Sequence, residues 1–109
     1  MNDWIDLCAL HDLPRNAGLA ARVGGQQIAL FHLPDTPEQV FALTHHDPKS
    51  GANVLARGIV GDVGGELVVA SPMYKHHYRL RDGQCLEDDD VRVATWPVRV
   101  EGGRVLIRV

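Results

Sequence analysis

The sequence predicts an all-β domain, a sandwich or small barrel of short strands. Glycine pairs at Gly24-Gly25, Gly64-Gly65 and Gly102-Gly103 lie between apolar segments, and two-residue hairpin turns need the positive φ that glycine adopts without strain. Around the first and last pairs, apolar residues alternate with polar or small ones, the period of a strand with one buried face. Helical signals are thin: a short turn at Leu10–Leu13 is halted by Pro14, and another short turn fits Lys49–Ala56.

Taken in chain order, Trp4–Cys8 predicts the first strand. Leu19, Ala21 and Val23 then face Ile28, Leu30 and His32 across Gly24-Gly25. Val40–Thr44 is a short apolar run of strand length. Gly58–Asp62 and Glu66–Ala70 flank Gly64-Gly65 as a second hairpin. His77–Arg81 and Val91–Ala94 are read as two more strands. The chain closes with Trp96, Val98 and Val100 running into Gly102-Gly103, then Val105, Ile107 and Val109 on the return. No repeat, linker or low-complexity stretch interrupts it, so residues 1–109 are expected to form one domain.

With 109 residues the chain has room for one modest core. A composition 45% hydrophobic and 23% charged is that of an ordinary globular protein. A net charge of -3 supplies no electrostatic reason to bind nucleic acid or an anionic membrane. Asp3 and Asp6 stand where a signal peptide would carry basic residues, and no apolar run reaches membrane-spanning length. Cys8 and Cys85 are too few for a disulfide scaffold. A cytoplasmic protein with reduced thiols is the expectation.

The middle of the chain narrows the fold further. Ala70-Ser71-Pro72-Met73-Tyr74 is followed by Tyr78, Leu80 and a turn at Asp82-Gly83, then by the closing hairpin. This order resembles the second loop of a Rieske domain, Cys-Pro-x-His, with Ser71 at the cysteine and Tyr74 at the histidine. Anchored on Gly51-Ala52, the first loop places Asp47 at its cysteine and Lys49 at its histidine. A carboxylate, an ammonium, a hydroxyl and a phenol cannot replace the thiolates and imidazoles that hold a [2Fe–2S] centre. The resemblance therefore implies a Rieske-like β sandwich or barrel with a small loop subdomain and no cluster.

Phe41-Ala42-Leu43, Asp47-Pro48, Val54-Leu55-Ala56-Arg57-Gly58, Tyr78-Arg79-Leu80 and Gly83-Gln84-Cys85-Leu86-Glu87-Asp88 extend the likeness over nearly the whole chain. The chain is similar to the small subunit of the assimilatory NAD(P)H-dependent nitrite reductase. That resemblance implies a cofactor-free subunit bound to a large subunit that carries flavin, an iron–sulfur cluster and sirohaem and reduces nitrite to ammonium. It also implies no active site in this chain. A Rieske-type electron carrier is the alternative that the missing ligands disfavour, and a stand-alone interaction domain is the other, since one fold hosts many functions.

The remaining chemistry is sparse. His45-His46 and His76-His77 flank the two loops, and imidazole is a competent metal ligand. Neighbours on a strand point to opposite faces, however, and no HExxH or CxxC accompanies them. Ser50 and Ser71, the only serines, lie outside any nucleophile elbow. Cys85 precedes an acidic run, which opposes thiolate formation. Glu87–Asp90 is either a solvated turn or a docking patch for a basic partner surface. Met73, Tyr74, Lys75, His76 and His77 are the candidate partner-binding residues, mixing flexible apolar, aromatic and basic groups. For Tyr74 a second reading stands beside this one, an inward plug that fills the space of the lost cluster.

Overall fold

The computed structural model describes residues 3–109. Among the described residues, twelve strands form three small sheets and a short hairpin. β1 (Ile5–Ala9), β12 (Arg104–Ile107) and β11 (Val98–Glu101) make one three-stranded sheet in that order. The central sheet runs β10 (Thr95–Trp96), β4 (Val40–Thr44), β3 (Gln26–His32) and β2 (Ala17–Val23). β7 (Ile59–Val63), β8 (Glu66–Ala70) and β9 (His77–Arg79) form the third, and β5 (His46–Asp47) pairs with β6 (Ala52–Asn53). All the pairings between these strands are antiparallel.

The glycine pairs turn as the sequence requires. Both residues of each pair have positive φ, from 55° to 87°, the two-residue geometry that matches the twist of the flanking strands. β4 and β8 fall on the predicted residues. Leu10–Asp12 is a single 3-10 turn, and Leu55–Arg57 is another at the end of the segment read as a turn.

The central sheet departs from the one-face pattern. Ile28, Ala29, Leu30, Phe31 and His32 are all buried, as are Val40 to Leu43. Ile28, Leu30, Val40 and Ala42 pack towards Val105 and Ile107 of the terminal sheet. Ala29, Phe31, Phe41 and Leu43 pack on the other side, against Leu55, Val69, Tyr78 and Leu80. A strand covered on both faces reads as a continuous apolar run, and alternation fades. The Arg99 and Arg108 guanidinium groups lie over the half-buried Trp4 ring, 4.5 and 5.0 Å from its centroid.

Three predicted strands are corrected. Trp96–Val100 is not one strand: Trp96 pairs with Ala42 in the central sheet, while Val98 pairs with Ile107 in the terminal one. Pro97 lies between them and has no N–H to give a ladder, so the chain changes sheets there. Val91–Ala94 forms no strand. It laces back across Gly83–Cys85 by separate bonds, Cys85 N–H to Val91 O and Val93 N–H to Gly83 O, both 2.9 Å. The same crowding shortens the predicted His77–Arg81 strand, because the Gly83 N–H closes a turn onto Arg79 O at 2.8 Å.

Gly83 makes this crossing possible. Its φ is 77°, and a Cβ there would lie 2.1 Å from the Val93 carbonyl oxygen. Gly83→Ala is expected to cost about 2 kcal/mol or more through strain and displacement of Val93. Urea unfolding of the variant checks this, and a midpoint equal to wild type would contradict it.

Candidate functional site

The two loops flanking the third sheet share one backbone design. In Asp47-Pro48-Lys49-Ser50-Gly51 the Lys49 N–H donates to Asp47 Oδ1 at 3.0 Å, and the Gly51 N–H to Asp47 O at 2.8 Å. In Ser71-Pro72-Met73-Tyr74-Lys75 the Met73 N–H donates to Ser71 Oγ at 3.3 Å, and the Lys75 N–H to Ser71 O at 3.0 Å. The fifth residue of each is left-handed, φ 75° at Gly51 and 59° at Lys75. Asp47 and Ser71 thus occupy equivalent positions, at the end of β5 and just beyond β8.

Those two side chains meet. Ser71 Oγ–H donates to Asp47 Oδ2 at 2.6 Å. Ser50 Oγ–H donates to the same oxygen at 3.0 Å, and the Tyr78 hydroxyl donates to Oδ1 at 2.8 Å. Asp47 is completely buried, and so are Ser71 and Tyr78 to within 1%. A buried carboxylate is costly unless its lone pairs are filled; here each oxygen accepts two hydrogen bonds. Burial pushes the Asp47 carboxyl up, but the bonds from Ser71, Tyr78, Lys49 and Ser50 outweigh it and hold it below the ordinary aspartate value. Burial first, then the bond to Asp47, pushes the Tyr78 phenol far up.

These residues do not fit a [2Fe–2S] cluster. The Asp47 lone pairs are occupied, and the Ser71 hydroxyl both donates to Asp47 and accepts from Met73. The Lys49 ammonium turns to Asp88, bonded to Oδ2 at 2.5 Å. Tyr74 is 62% exposed, so the inward-plug reading of Tyr74 is overturned. Tyr78, on β9 opposite Val69, fills the interior instead. Sequence reasoning passed over Tyr78 as a strand aromatic. Its signal was a phenol in an apolar core, which needs an acceptor once buried.

The candidate partner-binding residues split in two. Met73, at 50% exposure, Tyr74 and Lys75 stand out from the tip of the second loop. His76 and His77 are half-buried. The His77 N–H donates to Glu87 Oε1 at 2.8 Å, and its ring Nδ1 lies 2.6 Å from Oε2. His76 Nδ1 is enclosed without a partner among the described residues.

The other histidine pair, where the chain bends from β4 into β5, divides as well. His45 is buried and its Nδ1 accepts the Ala56 N–H at 3.1 Å, while His46 is exposed beside Asn53. Burial, and then Arg57, holds His45 below its ordinary value, in the neutral form that accepts this bond. Among the described residues, no group of three or more His, Cys, Asp or Glu is arranged to hold a metal ion. Cys85 is buried, and burial raises its thiol pKa. In the acidic run Glu87 serves His77, and Asp88 serves Lys49 and the Asp90 N–H. Neither a wholly solvated turn nor a free acidic patch describes it.

Among the described residues no helix is long and apolar enough to cross a membrane. A family model described as a Rieske-like [2Fe-2S] domain matches residues 3–108. The nitrite reductase (NADH) small subunit of Salmonella typhimurium is 41% identical over 108 residues, 99% of each chain. The nitrite reductase [NAD(P)H] large subunit of Klebsiella oxytoca is 48% identical over 104 residues, which are 95% of this chain and 11% of that protein. Among solved structures, the Escherichia coli protein NirD superposes with a TM-score of 0.90 at 38% identity, covering 100% of this chain and 98% of that one. The chain belongs to the Rieske-like [2Fe-2S] domain family and, within it, to the nitrite reductase small subunits.

Proposed function

We propose that this chain, as a single domain, is the cofactor-free small subunit of a cytoplasmic NAD(P)H-dependent nitrite reductase. It binds the large subunit, which carries the flavin, iron–sulfur and sirohaem groups and reduces nitrite to ammonium. The carrying observation is the Asp47 cluster: protein hydrogen bonds join Asp47 and Ser71, the positions where the resemblance to a Rieske loop pair puts cysteines. The chain supplies binding surface and contributes no catalytic group.

The Klebsiella oxytoca likeness supports the partnership. A segment of that large subunit is similar to almost all of this chain, whereas the Salmonella typhimurium small subunit matches it end to end. One domain found both inside the large chain and as a separate chain fits a surface made to meet the large subunit. The docking surface is the tip carrying Met73, Tyr74 and Lys75, flanked by His76 and His77. Its exposed apolar pair beside a lysine with no ion pair among the described residues suits an apolar patch with an acidic rim.

Purified alone, the protein is expected to be colourless, and EDTA should leave its melting temperature unchanged, since structural metal binding is folding free energy. Co-expressed with the large subunit, it should co-purify with it. A visible charge-transfer spectrum, a melting temperature lowered by EDTA, or failure to co-purify would each count against the proposal.

A further inference from the structure

We infer that Asp47 is a positioning residue for partner binding: its carboxylate clamps the two tip loops in the arrangement that presents Met73 and Tyr74 to the large subunit. This rests on the reading that the tip docks. Each loop is a local turn closed by its own side chain and its own left-handed fifth residue. Among the described residues, the side-chain hydrogen bonds that run from the first loop to the second loop and its strand all end on Asp47. It takes Ser71 of the second loop on Oδ2 and Tyr78, on the strand leaving that loop, on Oδ1.

The exposed side chains cannot orient themselves. Met73 and Tyr74 are at least half exposed and have little packing to fix their loop. Lys75, next in the chain, holds a left-handed conformation that a non-glycine residue adopts only under surrounding constraint. The constraint includes the Lys75 N–H bond to Ser71 O, on the residue that Asp47 grips. On the far side, Lys49 reaches Asp88, and Glu87 takes both the N–H and the ring of His77. A loop pair held this way before binding loses less freedom on association, which raises affinity with no new contact.

Ser71→Ala and Tyr78→Phe in the full chain test this, read by amide hydrogen exchange and by affinity for the purified large subunit. A clamp couples the loops, so Ser71→Ala should speed exchange at Lys49 and Gly51 of the opposite loop by about tenfold. Tyr78→Phe should do the same at Lys75. Amides of β3 and β4 should keep wild-type protection, and each variant should bind about tenfold more weakly. If opposite-loop exchange is unchanged, or rises while affinity stays within about twofold, Asp47 is only internal filling and the inference is overturned. Met73→Ala with Tyr74→Ala serves as the separate arm. Unchanged affinity there removes the docking reading and the inference with it, whereas lost affinity there with normal binding by the Ser71 and Tyr78 variants removes the inference alone.

Discussion

Asp47→Ala is expected to destabilise the protein by about 3 to 5 kcal/mol, a fall in melting temperature of about 15 °C or more. The variant leaves the Ser71 and Tyr78 hydroxyls buried without their acceptor, and each unsatisfied buried donor carries its own desolvation cost. Asp47→Asn keeps the shape but points an NH2 group at hydroxyls that must now reverse their roles. Acid separates charge from shape. The Asp47 carboxyl is held below its ordinary value in the folded state, so its contribution is complete above about pH 4 and drains away as pH falls through the folded value. The wild type should therefore lose stability below about pH 4 more steeply than Asp47→Asn does. Glu87 and Asp82 are lowered too: burial pushes each up, but the His77 bonds to Glu87, and the Gln84 N–H and Arg79 bonds to Asp82, outweigh it. For that reason the difference between the two proteins is the quantity to read. Parallel pH–stability curves would show that Asp47 does not carry the acid sensitivity.

Met73→Ala combined with Tyr74→Ala is expected to weaken association with the large subunit by about 2 to 4 kcal/mol while leaving the isolated fold intact. The two expectations have one cause. Both side chains are exposed in the free chain, so truncation opens no cavity, and they are an aromatic and a flexible thioether of the kind that anchor interfaces. Titration of the large subunit with the variant, beside a thermal melt, measures both. A melting temperature lowered by many degrees would mean that these side chains pack in solution, and an unchanged affinity would move the search for the interface elsewhere on the chain.

What was legible in the sequence follows from how local each feature is. The three glycine hairpins are set by backbone sterics within four residues, and all three have the expected conformation. Val40–Thr44 and Glu66–Ala70 were bounded correctly because turn residues bracket them. That neither Asp47–Gly51 nor Ser71–Lys75 holds a cysteine or histidine was also readable, since residue type needs no tertiary structure. Val91–Ala94 failed for the opposite reason. Val93 is buried and Val91 half-buried, but by lying across Gly83–Cys85 without a ladder, which is a matter of long-range packing.

The sequence by itself determined an all-β, Rieske-like chain, and its resemblance to a Rieske loop pair implies Asp47, Lys49, Ser71 and Tyr74 at the ligand positions. Only the tertiary structure decided what those residues do. Asp47 and Ser71 are 24 residues apart, and Tyr78 lies 31 from Asp47, yet all three converge on one carboxylate. Tyr74 and Tyr78 are the same amino acid four positions apart on the same stretch, one at the surface and one in the core. No local pattern distinguishes them. Which tyrosine turns inward depends on where Asp47 lies across the fold, because a buried phenol must find an acceptor.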